Sequence, residues 1–370
     1  MSESVELRTG SSTWTVIVPA AKRVAVTRGN APDPTAGPRE LIRAALEAPI
    51  GLDVPLRRAL VPDDHVVIVV DESVPHVGEL VSEVIAHLTS GEVQPSAVTL
   101  LVPPPSGNQE WVEDLPDEFG DVHVEVHDPA EVKKVAYLTT TKVGRRVYLN
   151  RTLVEAEFVV VLSGRRFDPV CGYSGAEYSL FPELSNAETR AEFEHKPPPS
   201  EALRNEAATV AWHLGTPVFV QVIEGPGDSV AEVVAGLPGS SAVGVERQNA
   251  RWKGTVGGPA DLVIVTATGG RVGANELRHA VGLGLNCLRA DGRFVLLTDA
   301  PAEAAADLEK AWADSDLGPH VYVTAGWDDD VIENLNATRL SSANELQRLI
   351  AAADRVTVLP DAHKSLISVG

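Results

Sequence analysis

Three uninterrupted apolar runs limit what this chain can become: Val66–Val70, Phe158–Leu162 and Leu262–Val265. Each is strand-length and dominated by valine, isoleucine and leucine, with no polar residue interleaved. A strand of this kind turns apolar side chains to both faces and so needs cover on both. That condition is met by a parallel sheet held between layers of helices.

The intervening segments follow the order such a sheet demands. Pro38–Ala48 reads as a helix stopped before Pro49, and Asp64–Asp71 as a strand ending in acids. Gly78–Leu88 has Leu80, Val81, Val84, Ile85 and Leu88 along one side, and Ala97–Val102 is the next strand, completing a βαβ unit. Thr13–Val18 reads as an opening strand. Val122–Val126 and Val147–Leu149 are further strands, Glu201–His213 a helix and Pro217–Ile223 a strand. The Gly- and Pro-bearing stretch 225–258 holds one helix and few long apolar runs.

The pattern then restarts. Asp261–Thr266, Arg293–Thr298, His320–Thr324 and Arg355–Leu359 read as strands, separated by helices over Ala274–Leu288, Ala300–Ala313 and Asn344–Ala353. The expected fold class is therefore α/β, with two doubly wound α/β domains and a cleft between them. Residues 1–243 form the first and 244–370 the smaller second. A length of 370 residues agrees, because single cores stop growing near roughly 250–300 residues.

Composition narrows the partners. With 44% hydrophobic and 22% charged residues the chain reads as globular. A formal charge of −21 opposes nucleic acid and anionic membranes; the interdomain cleft is expected to take a small molecule, a carboxylate or a nucleotide. No apolar run approaches the roughly 20 residues of a membrane span, and Met1–Ser12 has no apolar core of a signal peptide. Cys171 and Cys287 stand far apart, which suits a reducing compartment and a cytoplasmic location.

Four segments carry candidate chemistry. Asp71-Glu72-Ser73-Val74-Pro75 lies at a strand's carboxyl end, where ligands of open α/β sheets bind; the plainer reading has Asp71 or Ser73 capping the following helix. Gly164 to Gly175 contains Arg165, Arg166, Asp168 and the turn Gly172-Tyr173-Ser174-Gly175, whose N–H groups suit an anion, or which serves only as a tight βα connection. Among the histidines, His195 precedes a proline run and His279 sits in a helix, whereas His123 and His127 fall on a strand, too far apart to share an ion. Finally, Gly269-Gly270-Arg271-Val272-Gly273 has the outline of a dinucleotide loop, but it is not GxGxxG and no acid is expected to end the following strand where one is required.

Taken in order, these segments resemble the nickel-dependent lactate racemase family over nearly the whole chain. Leu46–Gly51 resembles the lead-in to its first βαβ unit, and Asp71–Pro75 lies where the family has Asp-x-Thr-Arg-Pro. Gly172–Gly175 is similar to its Gly-Tyr-Ser-Gly-Gly turn, and Pro182–His195 to its Pro-Gly…Asn-His segment. Arg204–Ala208 sits where a family helix starts, and Asp261–Gly270 resembles the entry to its second domain. The resemblance implies a nickel ion held by a pincer nucleotide and one histidine, which takes a hydride from C2 of a 2-hydroxy acid and returns it to either face. Two histidines alternate as base and acid, cationic side chains pair the substrate carboxylate, and a lysine tethers the cofactor.

Carried across residue by residue, the resemblance keeps little of that machinery. Asp71 survives, Ser73 keeps a hydroxyl, and the motif's arginine is Val74. One acid/base histidine falls on Gly107, within Pro105-Ser106-Gly107-Asn108, and the other on Asp168. The tethering lysine falls on Tyr178. His195 matches the nickel ligand, Arg278, His279 and Gly282 stand for the Tyr-Gln…Lys set, and Trp327 stands near a family tryptophan.

The resemblance thus implies cofactor contacts at Asp71, Ser73, Gly172, Tyr173, Ser174, Gly175 and Tyr178, with metal at His195. Replacement chemistry would rest on Asp168, His279 and Arg278. A non-catalytic or altered-specificity relative is favoured over a 2-hydroxy acid racemase holding its nickel-pincer nucleotide without a covalent tether. A third reading pairs Asp71 and Asp168 as the carboxylates of an unrelated enzyme.

Overall fold

The structure is a computed structural model that describes residues 2–10, 12–29, 31, 34, 36–104, 109–142, 144–168, 172–195, 200–269, 272–308, 312 and 320–370. The chain forms two compact units, one of residues 32–248 and one joining 1–31 to 249–370.

Chain order begins with the hairpin β1 (Ser2–Thr9) and β2 (Ser12–Pro19), then β3 (Val26–Arg28). The unit 32–248 starts at α1 (Pro38–Glu47) and continues through β4 (Val66–Val70), α2 (Val77–Thr89), β5 (Val98–Val102) and β6 (His123–Val126). A hairpin of β7 (Val135–Thr140) and β8 (Arg146–Asn150) leads through α3 (Arg151–Glu155) to β9 (Phe158–Gly164). After the two-residue strands β10 (Phe167–Asp168) and β11 (Gly172–Tyr173) come α4 (Glu177–Leu180), α5 (Ala187–His195) and α6 (Ser200–His213). The strands β12 (Val218–Glu224) and β13 (Val230–Gly236) complete the sheet, whose order is β13-β12-β9-β4-β5-β6.

Five of these six strands are parallel and only β13 runs against its neighbour. The apolar runs behave as their composition requires. Val66, Ile68 and Val70 pack with α1 and α2 on one face, while Val67 and Val69 pack with Phe181, Leu203 and Val210 on the other. The chain leaves β4 toward β5 and β6, then returns to place β9 on β4's opposite side. The crevice where strand order reverses therefore opens at the carboxyl ends of β4 and β9.

Helix α7 (Ser240–Trp252) belongs to 32–248 up to Gln248, and the other unit resumes at Asn249 with β14 (Lys253–Val256), β15 (Ala260–Ala267), α8 (Ala274–Asn286) and β16 (Leu288–Thr298). It ends with β17 (Val321–Thr324), α9 (Asp329–Asn334), β18 (Thr338–Arg339), α10 (Ala343–Ala352), β19 (Val356–Leu359) and β20 (Leu366–Val369). Its main sheet is wholly parallel, in the order β18-β17-β16-β15-β19, beside a small sheet β20-β14-β3. Gly284 lets α8 lie close on this sheet: a Cβ there would stand 2.5 Å from Phe294 and from Val265.

The N-terminal strands correct the expected division at residue 243. Leu7, Val16 and Val18 are buried against Leu262, Ile264, Val295 and Leu297, so the hairpin covers one face of the second sheet together with α10. The Gln347 amide clamps Ile17 through its N–H at 2.8 Å and its carbonyl at 3.0 Å. Strand β3 pairs with β14. An amphipathic segment goes where its apolar face finds cover, and here that cover lies some 240 residues away in sequence, as with Val18 and Leu262.

Other local expectations shift. The stretch after residue 225 contains the strand β13 as well as a helix, and Ala300–Ala313 shows a 3-10 turn at Ala302–Asp307, with 309–311 and 313 outside the described residues. No helix is long and apolar enough to cross a membrane.

Candidate functional site

The end of β4 continues into Asp71, whose N–H bonds the Leu162 carbonyl of β9 at 3.0 Å. The Asp71 carboxylate then organises the crevice. Oδ1 accepts the Ser73 N–H at 2.9 Å and a short bond from the Ser73 hydroxyl, and Oδ2 accepts the Gly164 N–H at 3.0 Å. This is an Asx-type turn with a bond across to the neighbouring strand. Helix α2 has His76 as its N-cap residue, with no side-chain cap, so Asp71 and Ser73 do not cap it. Three donors already occupy Asp71, which argues against its serving as one of two paired catalytic carboxylates.

Arg166 closes the same crevice. Its Nε donates to Glu224 Oε1 at 2.5 Å, and its two terminal nitrogens donate to the Ser73 hydroxyl at 2.5 Å and the Ser73 carbonyl at 2.8 Å. Both charged side chains are buried, Arg166 at 7% and Glu224 at 2% exposure. The ends of β4, β9 and β12 are thereby pinned together by one ion pair. Val74, where the resemblance sets an anion-binding arginine, is 3% exposed and belongs to the apolar core.

Arg165, the next residue back, shapes the glycine turn. One terminal nitrogen donates to the carbonyls of Ser174 and Gly175 at 2.9 and 3.0 Å, and the other to the carbonyl and hydroxyl of Ser241. The Ser241 hydroxyl in turn donates to Glu177 at 2.8 Å. Burial draws the Arg165 guanidinium below its ordinary pKa, while the nearby Glu177 carboxylate pulls the other way. Because a trans peptide sets N–H opposite C=O, holding the Ser174 carbonyl on Arg165 turns the Gly175 N–H away from it.

Gly175 has φ of +77°, and a Cβ there would meet the Gly164 carbonyl oxygen at 2.3 Å, so only glycine fits. The Ser163 hydroxyl accepts the Ala176 N–H at 2.8 Å, locking the turn onto β9.

The expected site residues divide between the two units. Asp71, Ser73, Asp168, Gly172, Tyr173, Ser174, Gly175 and Tyr178 all belong to 32–248, on or just after β4, β9, β10 and β11. Asp168 is half-buried and pairs with Gly172 in the β10–β11 ladder, while the Phe167 and Tyr173 rings meet at 5.4 Å. Tyr178 is 6% exposed and sits in the apolar cluster with Leu180 and Phe181.

His195 closes α5, and its side chain lies outside what is described, as do residues 105–108 with Gly107. Arg278 and His279 lie on α8, in the other unit. Arg278 is exposed and donates to Asn275 at 3.0 Å, and His279 Nε2 donates to the Ser365 carbonyl at 2.7 Å. His127 is a satisfied interior histidine, donating to the Ser185 carbonyl at 2.9 Å, and burial holds its pKa down.

Ser163, Glu177, Glu224 and Ser241 were missed from sequence. Only Glu224 left a signal, as an acid closing the apolar run Val218–Ile223.

Comparison with known proteins fits this arrangement. Residues 9–196 match the model of the lactate racemase N-terminal domain, half of the chain. The chain belongs to the lactate racemase family. Its fold is similar to that of the lactate racemase apoprotein from Thermoanaerobacterium thermosaccharolyticum, with a TM-score of 0.74 at 15% identity over 99% of this chain and 100% of that one. A Thermotoga maritima protein from a structural genomics programme is similar at a TM-score of 0.62 and 11% identity, over 92% of this chain and 99% of that one. Comparison with curated proteins finds no match.

The residues present do not fit the tethered nickel-pincer nucleotide of the lactate racemase resemblance. Tyr178 offers a phenol where a lysine amine is needed, and that phenol ring is packed in the core.

Proposed function

We propose that this chain is a ligand-binding lactate racemase relative that does not racemise lactate, with its binding turn in the unit 32–248. One observation carries the reading: at the end of β4, Val74 lies in the apolar core and the adjacent Arg166 spends its charge on Glu224. A substrate carboxylate arriving there would meet Val74 in place of a cation and an Arg166 already paired with Glu224, and an unpaired buried carboxylate costs about 1–3 kcal/mol or more. The absence of a histidine at Asp168 and at Gly107 removes general acid–base catalysis, typically about 10²–10⁴-fold for each group.

The Gly172–Gly175 turn is the proposed binding element. Arg165 fixes its carbonyls on one side, which leaves the Gly175 N–H directed to the other, as a donor for a carboxylate or phosphate oxygen. Tyr173 belongs to the same turn, and Asp168 pairs with Gly172 in the adjoining ladder.

Two measurements test this. Protein co-produced with the enzymes that make the nickel cofactor is expected to hold no stoichiometric nickel and to leave D- and L-lactate unconverted. Nickel at one per chain that disappears in His195→Ala, together with lactate interconversion, would establish the untethered racemase instead.

A further inference from the structure

We infer that the hairpin β7–β8 is a docking face for an acidic segment of a partner protein. The inference goes beyond the function proposed above, which involves no macromolecule.

Charge marks the hairpin out. Residues 132–152 hold six cations, Lys133, Lys134, Lys142, Arg145, Arg146 and Arg151, and no acid, in a chain whose formal charge is −21. Solubility does not call for such a run, because the acidic excess already supplies a large net charge. Internal pairing accounts for half of it: Arg145 pairs with Glu192 and Glu206, Arg151 with Glu155 at 3.4 Å and Lys134 with Glu131 at 3.7 Å. Lys133, Lys142 and Arg146 are exposed and make no ion pair among the described residues.

Register decides which face is outward. Tyr137 stands opposite Tyr148 and Thr140 opposite Arg146, while the buried Val147 and Leu149 belong to the core cluster with Leu153 and Phe181. On the outward face the Tyr137 and Tyr148 rings meet edge-to-face at 5.7 Å, and the Tyr137 and Thr140 hydroxyls bond at 3.0 Å. Tyr137 remains 52% exposed.

Beside the hairpin stand the two most exposed large apolar side chains described, Val132 at 81% and Trp212 at 69%. Val132 opens the turn leading into β7. Trp212 lies near the end of α6, its ring edge-to-face with His213 at 4.9 Å, and His213 bonds the Thr139 hydroxyl of β7 at 3.1 Å.

Tryptophan, tyrosine and arginine carry most of the energy of protein–protein contacts when a partner covers them. Lysines also guard a strand edge against pairing with copies of itself, but a guard requires no uncovered tryptophan beside it. The occupant follows from charge. At physiological ionic strength charges farther than about 8 Å are largely screened, so a short acidic segment on the hairpin meets its unspent cations. A nucleic acid or an anionic membrane extends past them onto a surface of the same sign as itself. A second copy docked about a two-fold axis would set these cations against their own kind.

Fluorescence anisotropy of labelled octapeptides with the full chain tests this. The probe is Glu-Glu-Phe-Glu-Glu-Phe-Glu-Glu, with lysine in place of glutamate and glycine in place of phenylalanine as the two controls. The expected result is saturable binding, at least tenfold tighter than either control and weakened by added salt. Lys142→Glu with Arg146→Glu should weaken it at least tenfold and Trp212→Ala at least threefold, with unchanged thermal midpoints. The matched reversal Lys22→Glu with Arg348→Glu, in the other unit, should leave it within twofold. No binding at millimolar peptide overturns the inference, as does equal weakening by the two charge reversals. Octathymidylate that binds as tightly and responds to the same variants overturns it in favour of a nucleic acid. A concentration-dependent dimer lost in Trp212→Ala overturns it in favour of a second copy. Nickel content and lactate conversion, which decide the proposed function, are not read.

Discussion

The two parallel sheets treat their strand ends in opposite ways. In 32–248 the crevice between β4 and β9 is filled by the protein's own groups: Asp71 takes three donors, and Arg166 spends its charge on Glu224. In the other unit the end of β16 leaves Asp299 exposed beside a cavity, with the neighbouring hydroxyl of Thr298 satisfied internally. A crevice saturated with internal partners contributes to stability and limits chemistry, whereas a strand end that borders a cavity keeps volume for a ligand.

The contrast is open to direct attack. Glu224→Ala leaves Arg166 buried without that partner, and breaking such a pair costs roughly 3–5 kcal/mol; urea unfolding is expected to show a loss of that size, partly recovered when Arg166→Met is added. A loss below about 1 kcal/mol would mean the crevice is not a stabilising element. Asp71→Asn comes next, because an amide cannot accept at both oxygens, and the same assay is expected to show about 1–3 kcal/mol.

Gly284→Ala tests the packing of the open unit, with its Cβ 2.5 Å from Phe294 and Val265; about 1–3 kcal/mol of overpacking is expected in thermal unfolding.

A pH series sharpens the picture of 32–248 from another side. His87 is buried, and its Nε2 accepts the Arg57 N–H at 3.1 Å, so the ring is neutral. Burial, aided by the Arg57 charge, lowers its pKa from 6.5 to about 4. As pH falls the unfolded chain takes up the proton first. Stability tied to this group is therefore whole above pH 6.5 and lost progressively toward pH 4. The loss amounts to at most about 3 kcal/mol. Urea midpoints measured across that range should fall for the parent and fall less steeply for His87→Gln.

Much of the fold was legible because apolar runs such as Val66–Val70 and Leu262–Val265 admit only one kind of burial. The turn Gly172–Gly175 was legible for a similar reason, since Gly175 has no substitute at its φ and its approach to Gly164. What escaped were features decided by distant partners. The β1 strand is polar and charged on its outer face, and its attachment depends on Leu7 meeting a sheet that begins at residue 260. Arg165 and Arg166 read as available positive charge, yet Ser241 and Glu224, far along the chain, absorb them. The acid after β16 was in plain view, and only the structure shows it bonded to Gly269.

The hairpin β1–β2 has a consequence for synthesis. A growing chain finishes residues 32–248 while the first strands still lack the surface they are built to cover. Leu7, Val16 and Val18 must wait, exposed, until Leu262, Ile264, Val295 and Leu297 have left the ribosome. For most of translation this protein carries a completed unit with a sticky apolar leader, which makes the nascent chain a natural client for a holding chaperone at its front end.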